Sequence, residues 1–85
     1  MGSKKVKVFI QNGCPKCPEA KKLAEKIKDR VEVILYNTET SNGLAEASYY
    51  QIMTTPAFLI VNGLDEPIKF WPKTPNKKEI LEVIK

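Results

Sequence analysis

The spacing of hydrophobic residues changes several times along this chain, and each change marks an element. Between residues 6 and 11, Val6, Val8 and Ile10 fall on one side and Phe9 on the other, the pattern of a central strand apolar on both faces. From residue 15 to about 29, Ala20, Leu23, Ala24 and Ile27 recur at helical spacing with charges between them, which predicts an amphipathic helix. Residues 31–36 are again β-branched and apolar, so strand, helix and strand form a parallel unit. Ser41, Asn42 and Gly43 punctuate the chain before a short helix over residues 44–50. The unbroken apolar run 57–61 fits a strand covered on both faces, Asn62-Gly63 signals a turn, and residues 68–71 return as a hairpin strand. Thr74, Pro75 and Asn76 then offer cap and first-turn residues for a last helix whose Ile80, Leu81 and Ile84 face inward, with either Thr74 or Asn76 as the cap. The expected fold is α/β, βαβ followed by αββα, with helices flanking a four-stranded mixed sheet.

At 85 residues the chain makes a single domain over residues 1–85, long enough to bury a core without cross-links. The formal charge of +4 does not imply a nucleic-acid partner, because Lys21, Lys22, Glu25, Lys26 and Asp29 interleave the two signs as a solvated helix face does. The aromatics Phe9, Tyr36, Phe58 and Phe70 lie in strand-like runs, where a core role is expected rather than base stacking. The apolar stretch after the early lysines stops at Ile10, too short for a signal segment or a membrane span, so a cytoplasmic protein with no membrane partner is expected.

Two cysteines and no histidine narrow the chemistry. A disulfide scaffold would use more cysteines, whereas a cytosolic Cys-x-x-Cys is redox-active or binds metal. With Cys14 at the cap of the first helix and Pro15 at its first position, Cys17 falls at the third, where its N–H faces the Cys14 sulfur. The helix N-terminus then favours a thiolate, Lys16 adds a positive charge, and the spacing suits a reversible disulfide. Cys14, next to the loop 11–13 beyond the first strand, is the expected nucleophile, and Cys17, deeper in the helix, resolves. Pro18 removes an early helix hydrogen bond to the Cys14 carbonyl, so the first turn is expected to be irregular. One chain supplies too few ligands to close a zinc site, so no cofactor is expected. Two alternatives remain: a dimer holding zinc or an iron–sulfur cluster on four thiolates, and a non-catalytic interaction domain.

Cys14-Pro15-Lys16-Cys17 is similar to the Cys-Pro-x-Cys of glutaredoxins, and Tyr50-x-Ile52-x-x-Thr55-Pro56 resembles the segment before the cis-proline strand of the thioredoxin superfamily. The resemblance covers residues 6–84, and Pro18 adds a likeness to small glutaredoxin-like thioredoxins of archaea. It implies a thioredoxin fold, a cis Thr55-Pro56 bond beside the cysteines, and a Thr55 backbone that pairs with a client chain. It implies thiol-disulfide exchange with client proteins and an upstream reductase, by a monomer. Pro15, Lys16, Thr55, Pro56 and Trp71 are then the residues shaping the substrate groove. Gln11 stands where glutaredoxins carry a basic residue, and the 68–71 strand stands where they carry Gly-Gly-x-Asp, which argues against glutathione. Gly13 and Trp71-Pro72 replace the Trp and Gly typical of thioredoxins, so the surface facing a reductase differs.

Overall fold

The structure, a computed structural model describing residues 3–84, contains β1 (Lys5–Ile10), α1 (Cys17–Ile27), β2 (Glu32–Asn37), α2 (Ser41–Tyr49), β3 (Ala57–Val61), β4 (Pro67–Trp71) and α3 (Lys77–Ile84). They form a four-stranded sheet ordered β2-β1-β3-β4. The β1–β2 pair is parallel, as a helical crossover requires, and β1–β3 and β3–β4 are antiparallel. Among the described residues no helix is long and apolar enough to cross a membrane.

Alternation along β1 distributes its side chains between two apolar layers. Val6, Val8 and Ile10 join Phe58 and Ile60 of β3, Trp71 of β4, the inner face of α1 and Ile80 of α3. Phe9 joins Ala57, Leu59, Val61 and Ala47 of α2 on the other side. In α1 the buried positions are Cys17, Ala20, Leu23, Ala24 and Ile27, while the interleaved lysines and acids remain exposed. Phe70 departs from the expectation of a core role: on the edge strand β4 it remains 42% exposed, because no helix covers that margin of the α2 face. In α3, Val83 and Ile84 pack on the core beside Ile80.

Helix ends explain most shifts in boundary. Thr40 starts α2 earlier than its apolar pattern suggests, its hydroxyl accepting the Gly43 N–H at 3.0 Å. Gly43 is therefore helical rather than a breaker. A Cβ there would collide with the Asn37 carbonyl, so only glycine lets α2 approach the end of β2 this closely. In α3 the cap is Asn76, through a reciprocal pair: Glu79 N–H donates to Asn76 Oδ1 at 2.9 Å and Asn76 N–H to Glu79 Oε1 at 3.1 Å. The β3–β4 connection is wider than a two-residue turn. Asn62 Oδ1 accepts from both Leu64 N–H and Glu66 N–H, and Asp65 takes a positive φ of 62°.

Candidate redox site

Cys14 and Cys17 lie just beyond the carboxyl end of β1 and are joined by a disulfide, with their Cα atoms 5.4 Å apart. The turn that holds them differs from the expected one. Cys14 is not the helix cap and Pro15 is not its first residue: α1 begins at Cys17, Lys16 is the cap without a side-chain hydrogen bond, and Pro18 occupies the first helical turn. The reason is Pro18 itself. It has no N–H to give the Cys14 carbonyl, so that carbonyl accepts from Cys17 N–H at 3.3 Å, one residue tighter than an α-turn. The Cys17 N–H is thereby used on the Cys14 carbonyl rather than as a cap bond to the Cys14 sulfur. What remains of the expected electrostatics is the start of α1 directly behind the pair.

The two sulfurs have unlike surroundings. Cys17 is 3% exposed within the α1/α3 core, whereas Cys14 is half-buried and packs against that core from its rim. Pro15 and Lys16 are exposed between them. Trp71 is 6% exposed and belongs to the same buried cluster as Cys17, with the Lys69 ammonium 5.9 Å from its ring centroid.

The Thr55-Pro56 bond is cis, as the resemblance implied, and Pro56 is buried. The Thr55 hydroxyl donates to Gln11 Oε1 at 3.4 Å, which links the cis-proline loop to the loop before Cys14. Among the described residues no turn or loop hydrogen bond engages the Thr55 main chain. Beside it opens a cavity of about 720 Å³ between this loop and α2, with Gln11, Thr38, Leu44, Gln51, Met53 and Thr55 in its lining. No residue lining it is charged, and Met53 is 95% exposed at its edge.

Sequence reasoning missed Glu39. The Asn12 N–H donates to its Oε2 at 2.9 Å and the Asn12 side-chain amide to its Oε1 at 3.3 Å. No local pattern announces this contact, because it joins the loop before Cys14 to the loop after β2, 27 positions apart. Lys7 was also missed. On the α2 face its side chain is almost fully enclosed and donates to Glu46 Oε1 at 2.8 Å and to Tyr50 Oη at 3.1 Å. Burial alone would lower its pKa, but these hydrogen bonds and the Glu46 charge outweigh burial and hold the ammonium well above the usual lysine range. Its placement on the same strand face as Phe9 was the available signal.

A disulfide-forming Cys-x-x-Cys behind a central strand, beside a cis-proline loop, on a β2-β1-β3-β4 sheet defines a thioredoxin-fold redox domain. The chain belongs to the thioredoxin family: residues 4–85 match the family model described as a thioredoxin domain. A thioredoxin of Methanocaldococcus jannaschii is 33% identical over the whole of this chain and 96% of its own length. Among solved structures, a point-mutant thioredoxin from Halobacterium salinarum shares the fold at a TM-score of 0.83 and 14% identity, covering 96% of this chain and 72% of its own. The exposed lipoprotein thioredoxin of Streptococcus pneumoniae does so at 0.81 and 13%, covering 96% and 83%. At the level of the family, the cysteine pair makes this a thiol-disulfide oxidoreductase.

Proposed function

We propose that the chain reduces disulfides of client proteins, with Cys14 as attacking thiolate and Cys17 as resolving thiol. The observation that carries this order is their unequal access, Cys14 at the rim and Cys17 at 3% exposure. Cys14 attacks one client sulfur, forming a mixed disulfide and releasing the other client sulfur as a thiolate. Cys17, deprotonated, then attacks the Cys14 sulfur, the second client thiolate leaves, and the Cys14–Cys17 disulfide forms. Two electrons pass to the client with two protons, and an upstream reductase restores the dithiol.

The unpaired Thr55 main chain supports an extended client peptide lying across the cis-proline loop. Pro56 keeps the sulfurs covered on that side, Pro15 and Lys16 form the outer lip, and Trp71 supports the groove from beneath. A cavity without charged lining does not suit the two carboxylates of glutathione, and it suits an uncharged stretch of polypeptide. In this reading the protein acts as a cytoplasmic monomer.

Insulin reduction by the pre-reduced protein tests the assignment. Single turnover by the parent, its loss in Cys14→Ser, and no faster reduction of a glutathione mixed disulfide than of insulin are expected. A parent that leaves insulin oxidised would overturn the reading.

A further inference from the structure

We propose that Glu39 is a positioning residue for the redox step, its carboxylate holding the loop that presents Cys14 and biasing the pair toward the disulfide. This rests on the functional reading above. Residues 11–13 belong to no helix or strand, and Gly13 bends them at a φ of 74°. Such a segment loosens unless its polar groups are tied to something rigid. Here the tie is a closed ring. Both Glu39 oxygens accept from Asn12, the Glu39 N–H donates to Asn37 Oδ1 at 2.9 Å, and the Asn37 amide donates to Asn12 Oδ1 at 3.0 Å. Asn37 closes β2, and Thr38 N–H donates to the Ile10 carbonyl at 2.9 Å, so the ring is built on the sheet itself.

The same loop starts the cysteine turn, because Cys14 N–H donates to the Gln11 carbonyl at 3.4 Å. No ion pair engages Glu39 among the described residues, so its charge is directed at the loop. Two influences on the cysteines then act with one sign. The hydrogen bonds are made with the pair oxidised, and bonds to an ionised acceptor are the stronger kind. The Glu39 carboxylate rests on the Asn12 N–H, two positions before Cys14 in the chain. A negative charge fixed on the loop at this side of the cysteine turn opposes a thiolate on Cys14. Both favour the disulfide over the dithiol.

The test is equilibration of the protein in glutathione redox buffers, with thiol trapping, for the parent, Glu39→Ala, Glu39→Gln and Glu46→Gln. Glu39→Ala is expected to move the equilibrium toward the dithiol about threefold to tenfold, a tenfold change being about 30 mV for this two-electron couple. Glu39→Gln, which retains an oxygen for the Asn12 N–H, should move it less. Glu46→Gln, which perturbs the Lys7 contact on the α2 face, should lower the melting temperature without moving the equilibrium. Glu39→Ala at the parent's equilibrium, or Glu46→Gln shifted equally, would overturn the proposal. Insulin reduction by the parent, run alongside, judges the functional reading separately: an inactive parent with a shifted Glu39→Ala equilibrium leaves the positioning role and removes the client reading.

Discussion

The two faces of the sheet are built on different principles. On the α1/α3 side, Val6, Val8, Phe58 and Ile60 meet Ala20, Ala24, Ile27 and Ile80 in an apolar layer whose buried sulfur is Cys17. On the α2 side a smaller apolar cluster surrounds a buried cation: Lys7 is 5% exposed, bonded to Glu46 and Tyr50, with its Nζ 3.8 Å from Asp65 Oδ1 and 4.8 Å from the centre of the Tyr50 ring. Tyr50 Oη in turn donates to the Asp65 carbonyl at 2.9 Å, which ties α2 to the β3–β4 turn. The apolar face gives Cys17 a dry setting and is closed by two helices packed mainly through apolar side chains. The other face has one helix, and there directional polar contacts do part of the work of orienting α2 and the hairpin.

The comparison breaks most severely at Phe58. Phe58→Ala removes a wholly buried ring from the α1/α3 layer and should cost about 3–5 kcal/mol, read from urea unfolding. A loss under about 1 kcal/mol would mean that this face is not the main source of stability.

On the α2 face the damage should depend on which partner is removed. Glu46→Ala removes the nearest counter-charge of the Lys7 ammonium and should cost about 2–3 kcal/mol, less than for a fully buried pair because Glu46 is partly exposed and Tyr50 and Asp65 still face the ammonium. Lys7→Met keeps the volume and removes the charge, so its cost should remain within about 1.5 kcal/mol. Equal losses for the two would show that packing, not charge satisfaction, dominates here.

A pH titration sharpens the same contrast. Because the folded state holds the Lys7 pKa above its ordinary value of 10.5, the stability this group contributes is fully present below about pH 10.5 and is lost as pH rises through the raised value. Unfolding followed from pH 9 upward should show an alkaline decline that is smaller in Lys7→Met. The smallest effect on stability belongs to Met53→Ser, at the exposed edge of the α2 cavity: within about 0.5 kcal/mol, with a raised KM for insulin. An unchanged KM would separate that cavity from the client groove.

The apolar face was the more legible in sequence for the same reason that it is simpler. Period and continuity alone placed β3 at residues 57–61 and assigned Ala20, Leu23, Ala24 and Ile27 to the core. The cysteine pair was legible as a spacing, and the cis bond through the likeness of Thr55-Pro56 to the family's segment. The start of α1 was not, because Cys14-Pro15 imitates a cap with proline at the first position while the decisive residue is Pro18. Lys7 shares the Phe9 face of β1, but its partners Glu46 and Tyr50 are supplied only when α2 is laid over it. Gly43 reads as a breaker until Asn37 lies beneath it. The Asn12–Asn37–Glu39 ring joins two loops that only the folded sheet brings together.

The central claim is the division of labour between the rim cysteine and the buried one, and trapping tests it most directly. Reduced Cys17→Ser and Cys14→Ser are each mixed with a disulfide-bonded client, quenched with acid, and resolved without reductant. Cys17→Ser should accumulate a mixed disulfide through Cys14, since no second thiol remains to release it, while Cys14→Ser accumulates none comparable. Equal adducts on both variants, or adducts on Cys17 alone, would contradict the account.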